Sequence, residues 1–167
     1  MELLKEITDT KFPETEWNLQ IREASRAVIF DENELVPLLF VSKFNYHKLP
    51  GGGIEIGENK EKALRREAKE EVWCEIKVIE EIWKIIEFRT ERNQKQTSYC
   101  YLCKVLSKGD PNFTEKELNQ WFKIIRVSLD EAISLIKNDK PENYGGSFIH
   151  QRDIVFLKKV KQMKGFL

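Results

Sequence analysis

Short runs rich in Val, Ile and aromatic residues recur along the chain and predict β-strands. A polar segment, Asp31 to Glu34, separates the first two runs and predicts a turn that joins them as a hairpin. A charged segment, Arg89 to Lys95, predicts a second hairpin between the third and fourth strands. The predicted strands cover residues 21–30, 35–41, 74–88, 96–106 and 121–127.

One helix is predicted over residues 59–72, which contain no Gly or Pro and consist of strong helix formers. At about 100° per residue, Leu64, Ala68 and Val72 fall on one side of this helix. We therefore expect these three side chains to form its buried stripe.

Two further helices are predicted near the C-terminus. Ser128, with Glu131 three residues later, is typical of a helix start, and this helix continues to about residue 137. Residues 147–164 predict the last helix, and residues 1–20 predict a short N-terminal extension with an early strand. This mixture of strands and helices indicates an α/β fold.

Length and charge limit the classes of function. A chain of 167 residues predicts a single domain over 1–167, and 28 basic against 28 acidic residues argue against a dedicated nucleic-acid or membrane surface. No run approaches 18 apolar residues, and the first residues lack a signal-peptide core, so we expect a cytoplasmic protein. Three cysteines are an odd number and predict reduced thiols.

The predicted helix at 59–72 follows a loop that holds four of the eight glycines, among them Gly51, Gly52 and Gly53. Glycine allows another group to approach the backbone closely, and the first N–H groups of a helix are unpaired. A glycine-rich loop that leads into a helix is therefore a plausible anion site.

Three carboxylates, Glu67, Glu70 and Glu71, lie beside the buried stripe of this helix instead of spreading over its exposed side. Like charges at these spacings repel, and a divalent cation would remove the repulsion. Carboxylate oxygens suit Mg²⁺, with Mn²⁺ as a second choice. The alternative is a solvated acidic face on an ordinary amphipathic helix, and helical periodicity by itself favours that alternative.

The order of these residues resembles the Nudix box. Gly52 is followed after five residues by Glu58, and after seven more by Arg66-Glu67-Ala68-Lys69-Glu70-Glu71. The one departure is Trp73, which stands where the family has a glycine that ends the helix. A Trp kept in the left-handed conformation of that glycine costs roughly 1 kcal/mol or more.

The resemblance implies an α/β/α sandwich with a mixed β-sheet and a hydrolase that cleaves the diphosphate linkage of a nucleoside diphosphate joined to a group X. It implies Glu67, Glu70 and Glu71 as metal ligands and Arg66 as the residue that orients Glu70. Glu58 would pair within the loop–helix unit.

The resemblance also implies a further glutamate that approaches the metal or the attacking water from a later loop. Glu117 is the first choice for this role and Glu115 the second, although two exposed surface carboxylates are the simpler interpretation. Either a glutamate of the box or Glu117 would accept the proton of the water.

The box does not select the substrate. Nucleoside triphosphates, ordinary or oxidised, are the first class, followed by ADP-ribose or nucleotide sugars and by dinucleoside polyphosphates. A non-catalytic nucleotide-binding module on the same fold is the alternative, and a homodimer is common among such folds. For substrate binding we name Gly51 to Gly53 and Arg26, which either reaches the substrate or lies on an exposed strand face.

Three tryptophans, Trp73, Trp83 and Trp121, stand where glycine would suit the pattern. One hypothesis is that the source reads the codon UGA differently and that glycine belongs at these positions. The alternative is that the three side chains pack in the core, and UGG codons at 73, 83 and 121 would exclude the codon hypothesis.

Overall fold

The computed structural model describes residues 1–9, 19–109 and 122–164. Their strands are β1 (Leu3–Thr8), β2 (Gln20–Phe30), β3 (Val36–Val41), β4 (Tyr46–Lys48), β5 (Gly51–Gly53), β6 (Cys74–Arg89), β7 (Gln94–Lys108) and β8 (Phe122–Val127). The α-helices are α1 (Lys60–Val72), α2 (Leu129–Asn138) and α3 (Tyr144–Lys164), and short 3₁₀ turns cover Ser42–Phe44 and Thr90–Arg92.

A mixed sheet of five strands, in the order β1-β6-β7-β2-β5, is the larger of the two sheets. β1 runs parallel to β6, and β2 runs parallel to β7, whereas β6 with β7 and β2 with β5 are antiparallel. The smaller sheet, β4-β3-β8, is antiparallel.

Two apolar clusters fill the spaces on either side of the strands. Alternate residues of β2 enter different clusters: Val28 packs with residues of α2 and α3, and Ile29 packs with residues of α1. Because successive strand residues point to opposite faces, a strand covered by helices on both faces is apolar throughout. The α/β/α arrangement with a mixed sheet is therefore confirmed.

The predicted hairpin between the first two strands is wrong. β2 lies in the large sheet, whereas β3 pairs with β4 and β8 in the small one. Asp31 accepts hydrogen bonds from the N–H groups of Asn33 and Leu35, which closes the turn while the chain changes sheets. The second hairpin, β6 with β7, is confirmed, and it contains irregularities in register.

Other boundaries differ in detail from the predictions. The early strand exists as β1, and it is an edge strand of the large sheet with Ile7 buried, not an appended extension. Ser128 caps α2 as expected by accepting from the N–H of Glu131, and that helix ends at Asn138. The last helix begins at Tyr144, three residues before the predicted start.

Cys100 and Cys103 are both fully buried and belong to different apolar clusters, which places them on opposite faces of β7. This agrees with their spacing in a strand. Among the described residues, no helix is long and apolar enough to cross a membrane.

Candidate active site

The glycine-rich loop is bound to the large sheet. β5 pairs with β2 so that Gly51 lies opposite Arg26, and the N–H of Ala27 donates to the carbonyl of Pro50. Gly51 has φ of 133°, and a Cβ there would lie 2.2 Å from the carbonyl oxygen of Ser25. No other residue fits this position, which brings the loop backbone against β2.

Helix α1 begins and ends as the box pattern requires. The Asn59 side chain caps its start by accepting from the N–H of Lys62. Its buried side chains include Leu64, Ala68 and Val72, which confirms the predicted stripe. The helix ends in the left-handed conformation at Trp73, with φ of 55°, so the geometry of the family's glycine is kept despite the larger side chain.

Glu71 is the most enclosed of the three box carboxylates, with 7% of its side chain exposed. It accepts from the N–H of Gly51 at 2.8 Å and pairs with the ammonium of Lys48 at 2.5 Å. Burial raises the pKa of Glu71, and the nearby Lys48 opposes that shift. Glu71 therefore joins the helix to the loop and depends on a cation for its charge.

Glu67 and Glu70 are held by Arg66, whose Nη1 lies 2.8 Å from the former and 3.1 Å from the latter. The Glu67 carboxylate sits against Gly52, where a Cβ would lie only 2.0 Å from its oxygen. Glu70 is the most open of the three, with 41% of its side chain exposed. The predicted pairing of Arg66 with Glu70 is present in the structure.

Arg66 is itself fixed from the loop side. Glu58 accepts from its Nε at 2.8 Å and from its Nη2 at 3.0 Å, and the carbonyl of Gly53 also accepts from Nη2. The hydrogen bond from Arg66 lowers the pKa of Glu58 to about 2, and the same bond raises the pKa of Arg66. Such a two-point contact restricts the guanidinium to one orientation.

The donor set suits a hard divalent cation in its chemistry: three carboxylates on one helix, one of which occupies space that only a glycine leaves open. Within the described parts of the chain, however, no three His, Cys, Asp or Glu side chains form a closed ligand group. The carboxylates bond to Arg66 and Lys48 instead. Binding of a cation would therefore exchange these contacts.

A cavity of about 750 Å³ opens in front of the carboxylates. The box contributes Gly51 to Gly53, Arg66 and the three glutamates to its lining. Arg26 lines it as well and is only 6% exposed, so the exposed-face interpretation of this residue is wrong. The structure brings together every predicted site residue that it describes, whereas Glu115 and Glu117, like Trp121, lie outside the described residues.

The sequence analysis missed several cationic residues that line the same cavity, namely Arg22, Lys48, Arg89 and Arg92. One signal was present: Arg22 and Arg26 are four residues apart in a predicted strand and so share a face. The residues from the turn between β6 and β7 carried no such signal, because their position depends on the parallel pairing of β2 with β7.

Comparisons with known proteins agree with this architecture. The sequence model of the NUDIX domain matches residues 20–146. A comparison with curated proteins found no match.

Solved structures with a similar fold include three enzymes. A UDP-X diphosphatase superposes with a TM-score of 0.59 at 19% identity, covering 88% of this chain and 66% of that one. An ADP-ribose pyrophosphatase from Streptococcus suis gives 0.53 at 20% identity, with 82% and 90% covered. The Ap4A hydrolase of C. elegans gives 0.60 at 16% identity, with 86% and 98% covered.

At these identities the superpositions show the fold, and the domain match covers most of the chain. Together with the box residues and their geometry, the match shows that this chain belongs to the Nudix hydrolase family.

Proposed function

We propose that the chain hydrolyses the diphosphate linkage of a nucleoside diphosphate joined to a group X, with Mg²⁺ or Mn²⁺ as cofactor. One observation carries this proposal. The three box carboxylates and Arg66 line the same cavity as the glycine-rich loop and a set of cationic side chains. A diphosphate needs both kinds of surface, since phosphoryl transfer depends on positioning and charge stabilisation.

Glu67, Glu70 and Glu71 would hold the metal. A divalent cation, when bound, neutralises diphosphate charge and lowers the pKa of a water molecule. This chain's own residues support that role. Arg66 keeps two of the carboxylates in fixed orientations, and Gly51 orients the third through its N–H.

Glu70 is our first candidate for accepting the proton of the attacking water, because it is the most exposed of the three carboxylates. Glu67 comes second, and Glu117 remains a proposal for the same role. A carboxylate that accepts a proton must lie within hydrogen-bond reach of the water, directly in the cavity. Attack at phosphorus then breaks one P–O bond and releases a nucleoside monophosphate, with the proton taken up by the glutamate.

Gly51 to Gly53 and Arg26 would bind the diphosphate. The glycines leave the loop backbone open, and the guanidinium matches the geometry of phosphate oxygens. Nucleoside triphosphates, ADP-ribose, nucleotide sugars and dinucleoside polyphosphates all contain the linkage that this site would cleave.

The test is release of nucleoside monophosphate from a panel of these four substrate classes, with Mg²⁺ and then with EDTA. We expect turnover of at least one class that disappears when the metal is removed. Nucleotide binding by calorimetry without turnover of any class, in either Mg²⁺ or Mn²⁺, would instead indicate a non-catalytic binding module.

A further inference from the structure

Four arginines, Arg22, Arg26, Arg89 and Arg92, line one part of the cavity, and we refer to them as the arginine wall. The sheet topology explains their proximity. Arg22 and Arg26 lie on one face of β2, and β2 pairs in parallel with β7 from Gln20 and Gln94 onward. The start of β2 therefore lies beside the turn between β6 and β7, which carries the other two arginines.

Most of the wall's charge has no protein counter-ion. Among the residues that the structure describes, Arg22, Arg26 and Arg92 form no ion pair with a carboxylate, and Arg89 pairs with Glu87 at 3.1 Å. The box behaves differently, because Arg66 and Lys48 are both paired with its glutamates. The wall thus leaves about three positive charges free for a ligand.

Arg26 shows most clearly that an anion is expected. It is 6% exposed, it donates one hydrogen bond to the carbonyl of Ser25 at 3.3 Å, and its Nε has no partner among the described residues. Burial and the charge of Arg152 lower the pKa of Arg26 to about 10. A buried charge without a counter-ion is unfavourable, and a bound anion would remove that penalty.

The wall is held in place from behind. Arg22 donates to the side-chain oxygen of Gln96, and the amide of Gln96 donates to Glu87 at 2.5 Å. Glu87 is fully buried and also accepts from Arg89. Two of the arginines are therefore oriented by one buried network, and an anion would meet them without a large loss of side-chain entropy.

The wall extends beyond the reach of a single diphosphate group. Four strand residues span roughly 13 Å between Arg22 and Arg26. Arg92 extends the wall to the start of α3, where its guanidinium would lie 3.0 Å from a Cβ on Gly145. Several phosphate groups, or one phosphate remote from the cleaved linkage, would use this length.

We propose that the arginine wall binds phosphate groups of X, so that the preferred substrates carry phosphate beyond the diphosphate that is cleaved. This inference rests on the proposed function for the cleavage itself. It favours nucleoside triphosphates and dinucleoside polyphosphates over ADP-ribose and nucleotide sugars, whose X group is an uncharged sugar.

The first test uses inorganic tripolyphosphate as the probe and isothermal titration calorimetry in EDTA. Arg92→Gln is the main variant, because Arg92 is exposed and its replacement leaves the core intact. Arg26→Gln is the second, and Lys95→Gln is the matched control, since Lys95 is adjacent in sequence but does not line the cavity. We expect each arginine variant to bind about tenfold more weakly and the control to stay within about twofold.

The second test compares ATP with ADP-ribose in Mg²⁺, since both contain adenosine diphosphate and differ in X. We expect kcat/KM for ATP to exceed that for ADP-ribose by about tenfold or more, and this ratio to fall in Arg92→Gln. Equal or better turnover of ADP-ribose would overturn the inference and leave the proposed hydrolase standing. If neither is hydrolysed, the proposed function fails, and tripolyphosphate binding alone decides: equal affinity in all variants overturns the inference.

Discussion

At the scale of single residues, the site depends on contacts that fix each charged group. Arg66 is held by Glu58 and in turn holds Glu67 and Glu70. Glu71 is held by Lys48 and by the N–H of Gly51. The conserved chemistry of the box pattern is thus expressed as pairs of groups, and changing one member should alter the other.

The pairing of Glu58 with Arg66 predicts a pH dependence. Since the pKa of Glu58 falls from its ordinary 4.5 to about 2 in the folded chain, the unfolded chain binds more protons between these values. The stabilisation is therefore present above about pH 4.5 and is lost as the pH falls towards about 2. We expect urea unfolding to show wild type more stable than Glu58→Gln near neutral pH, with the difference vanishing in acid.

Glu55→Gln is the control for that measurement. Glu55 is 71% exposed and lies 3.9 Å from Arg66, so its contact with the guanidinium is weak. An equal effect of the two substitutions, or a difference between wild type and Glu58→Gln that does not change with pH, would contradict the assigned pairing.

Trp73 gives a second prediction at this scale. Its φ of 55° is unfavourable for any residue with a Cβ. Ala and Gly both remove the indole, but only Gly removes the Cβ. We therefore expect Trp73→Gly to unfold with a free energy about 1 kcal/mol higher than Trp73→Ala. Equal stability of the two variants would show that the helix end relaxes, and the codon at position 73 would test the glycine hypothesis independently.

At the scale of secondary-structure elements, local patterns predicted well where pairing is local. The β6–β7 hairpin, the buried stripe of α1 and the cap at Ser128 all follow from residues close in sequence. The expected β2–β3 hairpin was wrong because a short polar turn also permits the chain to pass between two sheets. The role of β1 could not be predicted either, since its partner lies about 80 residues away.

The placement of β1 predicts an unequal sensitivity of two of its residues. Ile7 is 2% exposed in the cluster that also contains residues of α3, whereas Leu3 is 46% exposed. We expect Ile7→Ala to lower the free energy of unfolding by about 2 to 5 kcal/mol and Leu3→Ala to have a small effect. Denaturant titration measures both, and similar small effects would mean that β1 is not part of the core sheet.

At the scale of the whole molecule, the cavity is assembled from distant parts of the chain. Asp153 in α3 accepts from the N–H of Leu49, which anchors the glycine-rich loop to the last helix. Phe122 from β8 and Asn143 before α3 complete the lining. The contribution of the box could be read from the sequence, because its residues are adjacent. The arginine wall could not, because the parallel pairing of β2 with β7 leaves no local pattern.

The central claim is that the carboxylates of the box drive hydrolysis. Wild type should be compared with Glu70→Gln and with Glu61→Gln, an exposed glutamate on the same helix that pairs only with Arg65 among the described residues. The measurement is nucleoside monophosphate released in Mg²⁺ from the best substrate of the panel. We predict a loss of about 100-fold or more in Glu70→Gln and wild-type activity in Glu61→Gln. Full activity in Glu70→Gln, with its fold intact, would contradict the account.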